Sequence, residues 1–466
     1  MVWRKVVLST ACSLLLCVQT HSQNIVLPNL GDAADGNISD NASRALGRNV
    51  LNQIKQYTPV VEDPLWQYYI EQLGKNLLSH SRDTDTHIEF ILFNTNVINA
   101  FALPGQIIGI YSGLVLQSQY EGEVASVLAH EIAHVTQKHY ERMVEKQSAT
   151  LMKQMSGILA SAALAMVDGR AASAALTSTL AAGHQSMIGY TRDHEYEADW
   201  IGVETLSKAN YPESDMANFF NRLPKNTYHA NLEALYTHPY PTKRASEALN
   251  RLQHKRRGTK HSILISQADF IFMKARLEVI TSQHKKSLLF STVNDNEVDK
   301  YKKSYINIVL NRNIQNTVSL LRDLYNDNPR SIVIVYTFIE SLIIEHSYEE
   351  ALAMINTARE QHFDILPLLI LTVKLHQSQK DYKKAKNELL NINSDYPKYI
   401  LAYKELAENE QKLGQPGVAH FFMAKYYYHI GMTDLAVVQL KLAQKQLQSN
   451  LYYLSQVRQL LSQWSR

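Results

Sequence analysis

Val127-Leu-Ala-His-Glu-Ile-Ala-His-Val135 sets two histidines four residues apart, with a glutamate directly after the first. On an α-helix, residues four apart share one face, so His130 and His134 can turn ring nitrogens to the same tetrahedral metal. Glu131 lies about 100° further round the helix. That makes it a poor third ligand but brings it within reach of a water at the metal. His130-Glu131-x-x-His134 is the spacing of zinc-dependent peptidases. A motif this short also arises by chance on ordinary amphipathic helices, so the flanking sequence has to decide.

Upstream, Ala42 to Tyr57 and Pro64 to Ser79 read as helices, the second with Trp66, Tyr69, Ile70, Leu73 and Leu77 at the spacing of a buried stripe. Thr86 to Phe93 alternates and is rich in Ile and Phe, which predicts a strand. Asn99-Ala-Phe-Ala-Leu-Pro-Gly105 reads as a turn, and Gln106 to Tyr111 as a second strand. An extended peptide can add to such a sheet edge through backbone hydrogen bonds. The motif helix is expected from Tyr120 to Glu145. Beyond it, Ser148 to Leu180 is dominated by Ala, Met, Leu and Ser, and its most apolar part, Gly157 to Val167, is far shorter than a bilayer requires. Two readings stay open for it: a packed helix pair turning near Asp168-Gly169, or a mobile cover over the site that makes a peripheral contact with a membrane or partner.

Tyr190 to Ala209 reads as the next helix, ended by Asn210 and Pro212. Glu195 and Asp199 stand four apart on one of its faces. Two histidines leave zinc in need of a third ligand, which in one large class is a glutamate from a second helix. Glu195 suits that role, and Asp199, one turn on, suits a hydrogen bond to the outer nitrogen of a zinc histidine. A solvated acidic face made of Glu195, Glu197 and Asp199 is the alternative.

The order His130-Glu131-x-x-His134, then Glu195-x-x-Ala198-Asp199, then His238-Pro239 with Arg244, resembles the M48 metallopeptidases, and Asn99-Ala-Phe-Ala-x-Pro104-Gly105 upstream is similar to their pattern. Gln106 stands where that pattern has a second glycine. The resemblance implies one Zn2+ per chain held by His130, His134 and Glu195, with Glu131 as the catalytic base and Asp199 supporting a histidine ligand. It further implies a site role for His238, as a fourth ligand at rest or as a stabiliser of the tetrahedral intermediate. Arg244 would contact substrate or a carboxylate. The other histidines, among them His139, His184 and His194, are read as ordinary structural side chains.

Composition sets the frame. The chain has 466 residues, 45% hydrophobic and 20% charged, enough for more than one domain of a folded protein. A formal net charge of +3 gives no support to a nucleic-acid partner. Residues 1–22 read as an export signal: Arg4 and Lys5, then an apolar run from Val6 to Val18, then Thr20 and Ser22 before a cut ahead of Gln23. Both cysteines, Cys12 and Cys17, fall inside it, so the mature chain would have neither disulfides nor a thiolate metal site. A bacterial periplasm is the expected destination.

The carboxy-terminal half is repetitive. Tyr348-Glu-Glu-Ala351 recurs as Tyr382-Lys-Lys-Ala385, 34 residues on, and Asn326-Asp-Asn-Pro329 recurs as Ser394-Asp-Tyr-Pro397, 68 on, which is twice 34. Thirty-four is the tetratricopeptide period. Ala419 keeps that register, Leu435-Ala436 falls half a repeat out, and about four units are expected. The basic run His254-Lys-Arg-Arg257 reads as a solvated linker. The expected fold is therefore mainly α (α+β): a signal at 1–22, a zincin-like metalloprotease domain with a small β-sheet at 23–260, and an α-helical tetratricopeptide solenoid at 261–466. The export signal and repeats narrow the resemblance to exported members that act in outer-membrane β-barrel assembly. It implies partners among misassembled outer-membrane proteins and their assembly machinery. The competing expectation is a periplasmic chaperone or adaptor with a latent zinc site.

Overall fold

The computed structural model describes residues 39–145, 184–222, 266–291, 296–362 and 365–464. The chain opens with α1 (Asp40–Tyr57) and α2 (Pro64–Ser79). Asp63 caps α2 by accepting from the Trp66 amide, and Pro64 follows at the first helical position, where its missing N–H is no loss. The apolar stripe of α2 is buried as its spacing predicts, with Trp66 and Leu73 at 0% exposure.

Three strands follow: β1 (Glu89–Phe93), β2 (Ala100–Leu103) and β3 (Ile107–Tyr111). Their order is β1-β3-β2, with β1 parallel and β2 antiparallel to β3. The segment 99–105, read from sequence as a turn, is mostly the strand β2. Only Pro104, Gly105 and Gln106 turn, closing a hairpin in which Leu103 pairs with Ile107. Gly105 and Gln106 both have left-handed backbones, at φ 76° and 68°. A glycine adopts that conformation freely, whereas Gln106 bears roughly 1 kcal/mol of strain there.

Next come α3 (Ser112–Gln117), α4 (Glu121–Thr136) and α5 (His139–Glu145), then α6 (His184–Lys208) and α7 (Ser214–Arg222). The motif helix thus ends at Thr136 and does not run on to Glu145. Lys138 takes a left-handed backbone at φ 51°, which breaks the axis and restarts the chain as α5. No pattern of apolar residues announces such a break.

The remainder is helical: α8 (Gln267–Thr281), α9 (Lys285–Ser291), α10 (Glu297–Val309), α11 (Ile314–Asp327), α12 (Ile332–Glu345), α13 (Tyr348–His362), α14 (Leu366–Ser378), α15 (Tyr382–Asp395), α16 (Leu401–Lys412), α17 (Pro416–His429), α18 (Thr433–Gln446) and α19 (Leu451–Trp464). Helices α11, α13, α15 and α17 begin at 314, 348, 382 and 416, each 34 after the last. Ala351, Ala385 and Ala419 are buried at matching points, where a small side chain lets neighbouring helices approach. The period extends one helix pair further upstream than the Tyr-x-x-Ala signature reveals, because α10 and α11 carry it in their lengths and not in that signature. Tyr426, Tyr427 and Tyr428 divide: the first is buried, the second packs at the core edge, and the third is exposed and stacks on Trp464 at 3.9 Å.

The helical stack is built onto the front of the molecule. One continuous apolar core joins α2, the sheet and α4 to α8, α10, α12 and α14. At its centre the Arg276 side chain of α8, 1% exposed, donates to Asp63 at 2.8 and 3.0 Å and to Glu340 at 3.1 Å. Its guanidinium also lies 4.1 Å from the Tyr305 ring centre. Lys374 reaches the other Glu340 oxygen at 2.8 Å. Farther along, Tyr426 and Lys404 both bind Glu62, at 2.6 and 3.0 Å. The 260/261 division expected from sequence lies outside the described residues. Among the described residues, no helix is long and apolar enough to cross a membrane.

Candidate metal centre

Two helices build the site, and their close approach is what makes it. Gly202 on α6 sits against α4 so tightly that an added Cβ would lie 3.1 Å from His130 Cα and from His130 N. That contact brings the Glu195 and Asp199 side of α6 against the two histidines of α4. His130 Nε2 and His134 Nε2 lie 3.0 Å apart. Glu195 places one oxygen 3.6 Å from His130 Nε2 and the other 3.4 Å from His134 Nε2. Candidate ligand atoms of all three residues lie within 4.8 Å of one another.

These separations are those of a metal cage. Tetrahedral zinc with bonds of about 2.0–2.1 Å holds its ligand atoms roughly 3.3–3.4 Å apart. Two imidazole nitrogens and a carboxylate, converging at that spacing, fit zinc. The acidic-face alternative does not describe Glu195 and Asp199, which are 5% and 3% exposed. His130 Nδ1 donates to Asp199 Oδ1 at 2.9 Å, which leaves Nε2 as the lone-pair nitrogen facing the other two groups. Burial, opposed in part by that hydrogen bond, holds His130 below its ordinary pKa and so in the neutral form that binds metals. Glu131, on the turn between the histidines, is 1% exposed.

The structure adds residues that the sequence reading set aside as ordinary. The break at Lys138 swings His139 back against the motif, where its Nδ1 lies 2.9 Å from His134 Nδ1 and its Nε2 lies 3.1 Å from Glu197. Arg142 holds the same Glu197 oxygen at 2.9 Å. His194 stacks face to face on His139, with ring centres 4.3 Å apart. Burial, reinforced by the neighbouring His134 and His194, pushes His139 down to about 2, so this ring is neutral. Nothing in the local pattern could have singled it out, since its approach depends on one left-handed residue. His238 and Arg244 lie outside the described residues, as do residues 1–38, 146–183 and the basic run at 254–257.

The β2 strand stands at the sheet edge next to α4. Its outer side has no strand partner among the described residues.

Residues 64–252 match Peptidase family M48. The beta-barrel assembly-enhancing protease of Escherichia coli K12 is 36% identical over 252 residues, covering 54% of this chain and 51% of that protein. The Yersinia pestis protein of the same name is 35% identical over 254 residues, 54% of this chain and 51% of that one. The mitochondrial metalloendopeptidase OMA1 of Saccharomyces cerevisiae is 31% identical over 153 residues, 31% of this chain and 41% of its own length. The chain spans about half the length of the bacterial relatives it matches.

Proposed function

We propose, for a chain that carries a Peptidase family M48 domain, that it is an exported zinc endopeptidase that cuts misassembled outer-membrane β-barrel proteins in the periplasm. The observation that carries the reading is the convergence of His130, His134 and Glu195 at zinc spacing directly beside the carboxylate of the motif. The substrate class rests on the likeness to bacterial relatives named for β-barrel assembly. The periplasmic address rests on the export-signal pattern of residues 1–22.

His130, His134 and Glu195 would hold one zinc ion, which supplies Lewis acidity to polarise the scissile carbonyl and acidify a water. Glu131 accepts the water's proton and returns it to the leaving amine. Asp199 keeps His130 in the tautomer that presents Nε2. An extended substrate strand lies along the outer edge of β2, read through its backbone and therefore with little dependence on its sequence. His238 caps or assists the site, and Arg244 contacts substrate. The 34-residue stack, taken as tetratricopeptide repeats, recruits the assembly machinery.

The test is cleavage of a denatured outer-membrane barrel protein by the purified chain. A chelator should abolish cleavage and zinc should restore it. Glu131→Gln should slow it by about 10²–10⁴-fold with zinc content unchanged. Cleavage that survives chelation, or that persists in Glu131→Gln, overturns the reading.

A further inference from the structure

We propose that His139 is the positioning residue for His134, with Glu197 and Arg142 fixing His139 in turn. The inference rests on His134 being a metal ligand through Nε2. A neutral imidazole has one donor and one acceptor nitrogen. With Nε2 committed to the metal, the His134 proton sits on Nδ1, and His139 Nδ1 stands 2.9 Å away to accept it. His139 then carries its own proton on Nε2, 3.1 Å from the Glu197 carboxylate. Arg142 donates to that same oxygen at 2.9 Å, holding the carboxylate in place. Each member of the chain has one assignment consistent with its neighbours, and the face-to-face stack on His194 fixes the plane of the His139 ring.

The two histidines of the motif are thus steadied differently. Asp199 accepts the His130 Nδ1–H hydrogen bond directly. His134 is steadied through an intervening imidazole, so the negative charge stands one ring further from the metal. A direct carboxylate makes its histidine a stronger donor to zinc, and a neutral ring does so less. His134 should therefore be the weaker-held of the pair.

The experiment measures zinc affinity of the full-length chain by competition with a chromophoric chelator, starting from metal-free protein. His139→Phe keeps the ring and its stack but has no nitrogen. Zinc affinity should fall about 10–100-fold, with little change in the melting temperature of the metal-free protein. Glu197 is one-third exposed, so its variants should fold regardless. Glu197→Leu should also weaken zinc binding, whereas Glu197→Gln, whose carbonyl still accepts from His139, should recover most of the loss. In ¹⁵N spectra of the zinc-loaded wild type, His134 should carry its proton on Nδ1. Unchanged affinity in both His139→Phe and Glu197→Leu overturns the inference, as does a loss of affinity matched by an equal loss of metal-free stability. A wild-type chain that takes up no zinc, or that binds it as well after His130→Ala, sinks the metal-site reading itself, a separate result.

Discussion

Two of the buried polar clusters among the described residues are closed in opposite ways. Around Arg276 a guanidinium lies between two carboxylates, a threonine hydroxyl and an aromatic face, and its charge is answered by these protein groups. Around His130 and His134, two ring nitrogens and a carboxylate converge at distances that suit a common cation better than one another. Polar groups are buried in both cases, which is costly unless each finds a partner. The first cluster contains its cation as part of the sequence. The second, on the proposed reading, would take its cation from solution.

The contrast can be broken in order of expected effect. Replacing Arg276 by methionine keeps its bulk but leaves Asp63 and Glu340 facing a vacated site. Loss of one partner from a buried pair costs about 3–5 kcal/mol, so denaturant unfolding should shift by that much whether or not zinc is present. A loss below about 1 kcal/mol would show that the cluster is not what joins the stack to α2. Zinc should do the converse. At a hundred times its dissociation constant it should add about 2.7 kcal/mol to the wild type and nothing measurable to His130→Ala. Equal stabilisation of both would place the ion elsewhere.

Gly202→Ala probes the spacing of α4 and α6. The new methyl group meets His130 backbone at 3.1 Å, and backbone cannot move aside as a flexible side chain does. Overpacking of this kind costs about 1–3 kcal/mol and should weaken zinc binding as α6 is pushed away. Unaltered zinc affinity would mean that the helices hold their separation without this contact. The smallest effect is the response of the Arg276 cluster to acid. Burial raises the Glu340 carboxyl, but Lys374 and Arg276 outweigh it and hold the group below its ordinary value of 4.5. Below that pH the unfolded chain binds the proton first, so the stability Glu340 contributes is present above it and is lost as pH falls through the folded value. The urea midpoint should therefore drop more steeply on acidification in the wild type than in Glu340→Gln. Parallel slopes would remove Glu340 from the account.

The sequence exposed one of these clusters and hid the other, for a physical reason. The His130 cluster draws on residues with fixed local spacings, 130 with 134 and 195 with 199, because each pair shares one helix face. Periodicity likewise announced the α2 stripe and the 34-residue repeat. Arg276, Asp63 and Glu340 lie far apart in the chain, and an arginine in Lys274-Ala-Arg-Leu277 looks like any surface arginine. Its burial follows from how α8 docks, which no local pattern encodes. His139 was missed on the same grounds, since a single left-handed residue at Lys138 brings it to His134. In segment 99–105 Pro104-Gly105 signals a turn, while Ala-Phe-Ala-Leu before it is long enough to pair with β3.

On the function proposed above, the way Arg276 seats the helical stack would determine how a large client is handled. A tether lets an attached cargo explore a range of distances, and its effective concentration near the site depends on linker length. A stack pinned through its interior works instead as a jig. On the proposed function, cargo gripped there would arrive at one offset from the zinc position, and only a slack segment long enough to cross that gap would be cut. Each extended residue spans about 3.3–3.6 Å, so the offset becomes a minimum length of unfolded chain. If the clients are the barrel proteins proposed above, a strand already zipped to its neighbours would have no such slack and would be spared. The mounting of the stack would then act as a ruler for how far a client has failed to fold.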